Sequence, residues 1–246
     1  MIRPLAIDLF CGLGGWTEGL LAEGYDVVGF DIEQHAYDEH RYPAQLIIQD
    51  VLTLHGSQFR KASLIVASPP CQRYSYMAMP WTRAKEQAKA IRADTTGAEL
   101  AELRKLFDAC FRIQKEAIAA AGRHIPLVVE NVRGAIPWVG PAAGKYGSYY
   151  PWGDVPALMP VGGKFKSKGM NWSDQTKRGQ DFTRIAGRQA LEGIKQGGTW
   201  FHATSSISRM SSSGSLARKK ASALIAKIPF PLSRHIASVY HPRTAP

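Results

Sequence analysis

The sequence has few cysteines and no long hydrophobic run. Its three cysteines, Cys11, Cys71 and Cys110, form no C-x-x-C pair. This spacing disfavours a disulfide framework or a structural zinc site, and it leaves each thiol free to react. No apolar run approaches the ~20 residues that span a bilayer, and residues 1–5 lack the features of a secretory signal. We therefore expect a cytoplasmic protein without a metal or a membrane segment.

Negative charge is scarce in the second part of the chain. Residues 1–140 carry 15 Lys and Arg against 16 Asp and Glu, whereas residues 141–246 carry 16 against four. The formal net charge of +11 therefore comes from residues 141–246. Such asymmetry indicates a polyanionic partner, although a basic surface can also serve solubility alone.

Short apolar runs alternate with helical patterns in the first half of the chain. The pattern predicts an amphipathic helix at about 99–121 and strands at 5–10, 26–31, 45–50, 64–67 and 127–130. This alternation predicts an α/β fold with a doubly wound, Rossmann-like parallel sheet. Ligands of such sheets bind outside the carboxyl ends of the strands. Four candidate functional residues fall at these ends: Asp31, Asp50, Cys71 and Glu130.

The first predicted strand leads into a glycine-rich turn, which is typical of a ligand site at a helix N-terminus. Gly12 and Gly14 fit the first two glycines of G-x-G-x-x-G, but Thr17 occupies the third position. Phe10, directly before the turn, is placed to offer an aromatic face to an adenine ring. A structural turn without a ligand is the alternative.

Carboxylates follow three of the predicted strands. Asp31 comes about 20 residues after the glycine turn, where an acidic residue accepts hydrogen bonds from ribose hydroxyls. Asp50 is expected to accept from an adenine amino group. Glu130 leaves a buried strand, where burial raises a carboxyl pKa and favours an acid that engages a base edge. Each could instead be a structural carboxylate.

The fourth predicted strand is followed by Ser68-Pro69-Pro70-Cys71-Gln72. Two prolines fix the backbone and present the next side chain in a defined direction. Cys71 is therefore a candidate nucleophile, provided that nearby positive charge or a helix dipole favours its thiolate. The alternative is a buried structural thiol, which is how we interpret Cys11 and Cys110.

Three of these segments together resemble the cytosine-C5 DNA methyltransferase family, in the compact form of phage or bacterial members. Residues 8–15 resemble its cofactor-loop motif, residues 70–72 its nucleophile motif, and residues 130–132 its base-holding motif. Their order and approximate spacing also agree with the family. The resemblance covers residues 5–135, just over half of the chain.

The resemblance implies transfer of a methyl group from S-adenosylmethionine to C5 of cytosine in double-stranded DNA. The cytosine is flipped out of the duplex, Cys71 attacks C6, Glu130 donates to N3, and Asn131 helps to hold the strand end. The residues implied to surround the cofactor are Phe10, Cys11, Gly12, Leu13, Gly14, Gly15, Asp31, Ile32, Asp50, Val51 and Pro70.

The composition changes after Asn131, which together with the resemblance divides the chain into three parts. Residues 1–138 form the catalytic and cofactor-binding domain, and residues 139–215 a small, irregular, basic target-recognition region. Residues 216–246 form a helical segment that packs back on the catalytic domain. Four tryptophans interleaved with basic residues suit contacts to bases and phosphates, although some belong to the core: Trp138, Trp152, Trp172 and Trp200.

Two motifs of the family have no counterpart that spacing can place. Candidates for the base-contacting arginine of Q-x-R-x-R are Arg178, Arg184, Arg188 and Arg218, and residues 228–237 replace the usual G-N-S motif. We expect a monomer in a bacterial cell or a phage-infected host. The alternatives are the same chemistry on tRNA, a catalytically inactive nucleic-acid-binding protein of this fold, and a nicotinamide-dependent dehydrogenase, which Thr17 disfavours.

Overall fold

The computed structural model describes residues 3–75, 81–160 and 215–242, and these contain a six-stranded sheet and a two-stranded hairpin. The strands are β1 (Leu5–Leu9), β2 (Asp26–Asp31), β3 (Ala36–Tyr37), β4 (His40–Arg41), β5 (Gln45–Ile48), β6 (Ala62–Ala67), β7 (Leu127–Asn131) and β8 (Tyr150–Gly153). The sheet has the order β5-β2-β1-β6-β7-β8, and β3 pairs with β4. Every pairing in the sheet is parallel except that of β7 with β8.

Helices and short 3-10 turns connect these strands. The helices are α1 (Gly15–Ala22), α2 (Trp81–Ala93), α3 (Ala98–Ala121), α4 (Ile136–Val139), α5 (Leu216–Ala226) and α6 (Phe230–Tyr240). The 3-10 turns span Val51–Thr53, Gly56–Phe59 and Arg133–Ala135. No helix of the described residues is long and apolar enough to cross a membrane, and no group of metal-ligating side chains occurs among them.

Helices cover both faces of the sheet, which confirms the predicted doubly wound α/β fold. Along β6, Ile65 points into a core built with α3, whereas Leu64 and Val66 point into a second core built with α1 and α6. Successive side chains of a strand face opposite sides, so a continuous apolar run in β6 fills both cores. The helices packed on both faces therefore fix the positions of the strand ends.

The helix α6 packs closely on α1. A Cβ on Gly19 of α1 would lie 2.3 Å from the backbone nitrogen of Arg234, so only glycine permits this approach. Two ion pairs link the same segments: Lys227 Nζ to Glu18 Oε1 at 2.5 Å and Arg234 Nε to Glu23 Oε1 at 2.6 Å. The end of the described chain is thus fastened beside the helix that follows the glycine turn.

Besides the 3-10 turns, four elements of the structure were not expected from the sequence: α2, α4, the β3–β4 hairpin and β8. The strand β8 lies inside the region 139–215 that we assigned to target recognition, yet it forms an edge of the sheet. Trp152 of β8 is 5% exposed and packs on Phe107, so it belongs to the core. Trp172, Trp200, Arg178, Arg184 and Arg188 lie outside the described residues.

Candidate active site at the carboxyl ends of the strands

Three neighbouring strands deliver the candidate residues to one edge of the sheet. In β1 Leu9 pairs with Ala67 of β6, and Ala67 pairs with Val129 of β7. The glycine turn, the Pro-Pro-Cys loop and Glu130 begin directly after these three residues. The structure therefore brings together the three segments that the sequence singled out.

The glycine turn adopts left-handed backbone conformations. The φ angles of Phe10, Gly12 and Gly14 are 56°, 51° and 76°. For Phe10 this conformation is strained, because a Cβ disfavours positive φ. A Cβ on Gly12 would meet nothing within 4 Å, so open space lies next to this residue. The turn therefore leaves room for a ligand to approach the backbone.

Asp31 fastens the end of β2 to the glycine turn. Its carboxylate accepts hydrogen bonds of 2.8 Å from the backbone N–H groups of Gly12 and Ile32, and His35 Nε2 lies 3.7 Å away. Burial alone would raise the pKa of Asp31, but His35 and the Gly12 N–H outweigh it and hold the pKa below its ordinary value. The same contact raises the pKa of His35 against the effect of its burial.

Beside this carboxylate, the side chain of Ile32 is 70% exposed. An exposed apolar side chain next to hydrogen-bond acceptors suits a ligand with a flat apolar part and hydroxyl groups, such as a nucleoside. His35 was not predicted as a site residue. A histidine four residues after the strand-end aspartate was the signal that could have indicated it.

The remaining residues predicted to line the cofactor site take different positions. Asp50 caps the 3-10 turn at Val51–Thr53 by accepting from Leu52 N at 2.9 Å. A Cβ on Gly15 would lie 2.4 Å from the backbone nitrogen of Ile228, so this glycine permits close packing of the C-terminal segment. Three of these side chains are buried, and any contact of theirs with a ligand would come from backbone atoms: Cys11, Leu13 and Val51.

The loop that carries Cys71 is held from two directions. Trp16 Nε1 of α1 donates to Ser68 Oγ at 2.9 Å, and Tyr74 OH donates to Leu103 O of α3 at 2.9 Å. Between these anchors, the Cys71 carbonyl accepts from the N–H of Tyr74 at 2.9 Å. The Cys71 side chain is half-buried, and Pro70 beside it is exposed. The thiol is therefore fixed in place yet within reach of a ligand.

Glu130 and Asn131 end β7 next to that loop. Glu130 is 3% exposed and Asn131 is fully buried. Asn131 Nδ2 donates to Pro69 O at 3.0 Å, while its Oδ1 accepts from Val132 N. Burial, together with nearby Glu130, raises the pKa of Tyr149 well above its ordinary value. The buried carboxyl group of Glu130 and the thiol of Cys71 thus lie at neighbouring strand ends. The Asn131 side chain links these two ends.

Residues 5–134 match the family model of the C-5 cytosine-specific DNA methylases. The chain belongs to this family. The match contains the glycine turn, Cys71 and Glu130, and it confirms the resemblance to this family. Members of this family are methyltransferases that use S-adenosylmethionine.

Several solved structures of methyltransferases are similar to this chain over about half of its length. A DNA modification methyltransferase encoded within an E. coli prophage is 23% identical, with a TM-score of 0.35 over 55% of this chain and 33% of its own. S. pombe Dnmt2 methyltransferase is 16% identical, with a TM-score of 0.32 over 55% of this chain and 36% of its own. This chain therefore matches about a third of each of these longer proteins. No curated protein sequence matches the chain.

The three cysteines of the chain differ in environment. Burial is the main cause that raises the pKa of Cys11 and of Cys110 far above the ordinary value of a thiol, so both stay protonated at neutral pH. Cys71 is the one cysteine of the three that is not buried. This contrast favours Cys71 as the nucleophile and agrees with the interpretation of Cys11 and Cys110 as structural thiols.

Proposed function

We propose that this methylase transfers a methyl group from S-adenosylmethionine to C5 of cytosine in duplex DNA, with Cys71 as the covalent nucleophile. The observation that carries the proposal is the position of the half-buried Cys71 thiol on a loop tied by Asn131 to the strand that presents buried Glu130. A nucleophile and an acid held at adjacent strand ends suit attack on a ring whose charge must be neutralised at a second atom.

Cys71 begins the reaction by adding its thiolate to C6 of a cytosine that has been flipped out of the duplex. A bond forms between Sγ and C6, and the electron pair of the C5–C6 double bond becomes available at C5. Glu130 donates a proton to N3, which offsets the negative charge that would otherwise develop on the ring.

The glycine turn, Asp31 and Ile32 would hold S-adenosylmethionine. The open space beside Gly12 and the exposed Ile32 next to the Asp31 carboxylate fit a nucleoside at this edge. When bound, S-adenosylmethionine supplies the methyl group that C5 accepts. A base or water then removes the C5 proton, the double bond re-forms, and the bond between Cys71 and C6 breaks to release the thiolate.

A row of basic side chains beside the Cys71 loop supports a nucleic acid as the substrate. Lys85, Lys89 and Arg92 recur at helical spacing on one face of α2, and all three are exposed. Gln87 Nε2 of the same helix donates to Arg73 O, two residues after Cys71, at 3.1 Å. In our proposal this exposed row contacts the phosphates of the substrate strand.

The target-recognition function belongs in our proposal to the basic part of the region 139–215. Residues 150–153 of this region form the edge strand β8, so recognition is assigned to the residues that follow this strand. Most of the positive charge of the chain falls within residues 141–246. We propose that the protein acts as a monomer and without a metal.

Transfer of labelled methyl groups from S-adenosylmethionine to duplex DNA and to tRNA, followed by digestion to nucleosides, tests the proposed function. We expect label in 5-methyldeoxycytidine with wild type and none with Cys71→Ser. Label in the nucleosides of tRNA alone would assign the same chemistry to RNA. Absence of label from both substrates, with cofactor binding intact, would identify an inactive binding protein of this fold.

A further inference from the structure

Three polar side chains form a hydrogen-bonded chain beneath the glycine turn. Thr17 Oγ1 donates to Asp8 Oδ2 at 2.7 Å and lies 2.7 Å from the hydroxyl of Tyr42. Thr17 has a single hydroxyl proton, which goes to Asp8, so Tyr42 donates to Thr17. Asp8 and Thr17 are fully buried, and Tyr42 is 8% exposed.

The three residues come from different segments around the turn. Asp8 lies on β1, two residues before Phe10, and Thr17 lies in the first turn of α1. Tyr42 belongs to the connection between β4 and β5. The chain of hydrogen bonds therefore joins the strand before the glycine turn, the helix after it and a segment from outside.

Two glycines make room for the outer segment. A Cβ on Gly14 would lie 3.1 Å from Tyr42 Cδ2 and 2.4 Å from Pro43 Cδ. A Cβ on Gly29, in the middle of β2, would lie 2.3 Å from the Tyr42 hydroxyl. Tyr42 is thus inserted between the turn and the sheet, and it presses directly on a turn residue with a φ of 76°.

Stability alone does not explain this buried group. Burial raises the pKa of Asp8 to about 7, and Asp8 Oδ1 has no hydrogen-bond partner among the described residues. A buried carboxyl group with an unsatisfied oxygen destabilises the fold relative to apolar packing of the same volume. Thr17 also occupies the position of the third glycine in a dinucleotide fingerprint, where a smaller residue is usual. A role in shaping the glycine turn therefore explains this hydrogen-bonded group better than stability does.

We propose that Thr17, held between Asp8 and Tyr42, is a positioning residue that fixes the glycine turn in its cofactor-binding conformation. This inference rests on the proposed function, since the ligand of the turn is taken to be S-adenosylmethionine. The chain of hydrogen bonds fixes both ends of a turn whose residues have positive φ, so the turn is ordered before the ligand arrives. Preorganisation of this kind increases affinity by lowering the ordering cost of binding.

The experiment compares Thr17→Val and Tyr42→Phe with wild type and with the conservative variant Thr17→Ser. Calorimetry measures the Kd of S-adenosylhomocysteine, and hydrogen exchange of residues 10–15 is followed in the ligand-free protein. Thr17→Val removes both hydrogen bonds of the chain and Tyr42→Phe removes one, so in each variant we expect the Kd to rise about tenfold or more and the amides of the turn to exchange faster. Thr17→Ser keeps the hydroxyl and is expected to stay within about twofold of wild type.

Tyr25→Phe is the matched control, because it removes another buried tyrosine hydroxyl, which donates to Ala237 O at 3.1 Å away from the turn. It is expected to lower the Tm and leave the Kd unchanged. Tyr42→Phe is expected to raise the KM for S-adenosylmethionine in proportion to the Kd and to lower kcat far less, since Cys71 and Glu130 lie at other strand ends. Wild-type affinity and wild-type exchange in folded Tyr42→Phe would overturn the proposal even if Thr17→Val failed to fold. A wild type that does not bind S-adenosylhomocysteine would instead overturn the proposed function and this inference with it.

Discussion

The side-chain amide of Asn131 donates a 3.0 Å hydrogen bond to the carbonyl oxygen of Pro69. This bond joins the end of β7, next to Glu130, to the loop two residues before Cys71. A residue without acid–base chemistry thus fixes the distance between the two groups that we propose to act on the base. Ser68, hydrogen-bonded to Trp16, ties the same loop to α1.

Asn131→Ala is expected to reduce kcat about 100-fold, because a displacement of about 1 Å between reacting groups costs that much. The KM for S-adenosylmethionine should change by less than about threefold, since the glycine turn does not contact Asn131. Single-turnover methyl transfer measures the effect. Ser68→Ala, which loosens the loop at one outer anchor, should lose far less activity. An unaltered kcat for Asn131→Ala would show that the bond to Pro69 does not position the loop.

Asp31→Asn is expected to raise the Kd of S-adenosylhomocysteine more than about tenfold. An amide has one acceptor oxygen, so it cannot accept from Gly12 N and Ile32 N at two oxygens as the carboxylate does. Asp26→Asn, an exposed change at the start of the same strand, is the control. Calorimetry measures both. Equal affinities of the two variants would remove Asp31 from the proposed cofactor site.

The stability of the protein should depend on pH through Asp8. Its pKa is about 7 in the folded state, whereas the ordinary value for an aspartate is 3.8, so between these values the folded state holds a proton that the unfolded state lacks. The unfolding free energy of wild type should therefore fall relative to Asp8→Asn as the pH rises from about 4 to about 7, by up to about 1.4 kcal/mol per unit. Above pH 7 the difference should be constant. Urea unfolding at a series of pH values checks this; parallel stabilities across the range would contradict the raised pKa.

The basic face of α2 should contribute to DNA affinity. Replacing both Lys89 and Arg92 by Gln removes two positive charges, so the slope of log K against log salt should decrease in magnitude by about two. Affinity should fall to a similar extent for all DNA sequences, because phosphate contacts carry no sequence information. Lys105→Gln with Lys115→Gln, exposed changes on α3, are the control pair. An identical loss in both double variants would indicate general charge rather than a contact along α2.

The parallel strands of the sheet could be predicted because they are short apolar runs followed by glycine, a carboxylate or proline. The helix α2 could not, because among its described side chains only Ala84 and Ile91 are buried and its apolar periodicity is weak. The strand β8 has the sequence Tyr-Pro-Trp-Gly, which is typical of a turn. Its pairing with β7 depends on tertiary contacts, including the packing of Trp152 on Phe107.

The candidate site could also be predicted only in part. Cys71 was predicted because its loop follows β6, and Glu130 because it lies at the end of β7; the carboxyl ends of parallel strands meet at one edge of a sheet. Asn131 was predicted to help hold the strand end, but its partner Pro69 and the bond between Trp16 and Ser68 were not predicted, because each contact joins segments far apart in sequence. Asn131 and Pro69 are 62 residues apart, and Trp16 and Ser68 are 52 apart. Thr17 was noted only as a departure from a glycine pattern, and its bond to Tyr42 required the fold.

Covalent trapping tests the proposed mechanism most directly. Duplexes of random sequence are prepared with 5-fluorocytosine in place of cytosine and incubated with the protein and S-adenosylmethionine. Fluorine at C5 cannot leave as a proton does, so the bond between Cys71 and C6 should persist after methyl transfer. We expect mass spectrometry to find the methylated nucleotide attached to the peptide that contains Cys71, and no adduct with Cys71→Ser. Methyl transfer to ordinary duplex DNA without any adduct in the fluorinated duplexes, or an adduct at another residue, would contradict the assignment of Cys71 as the nucleophile.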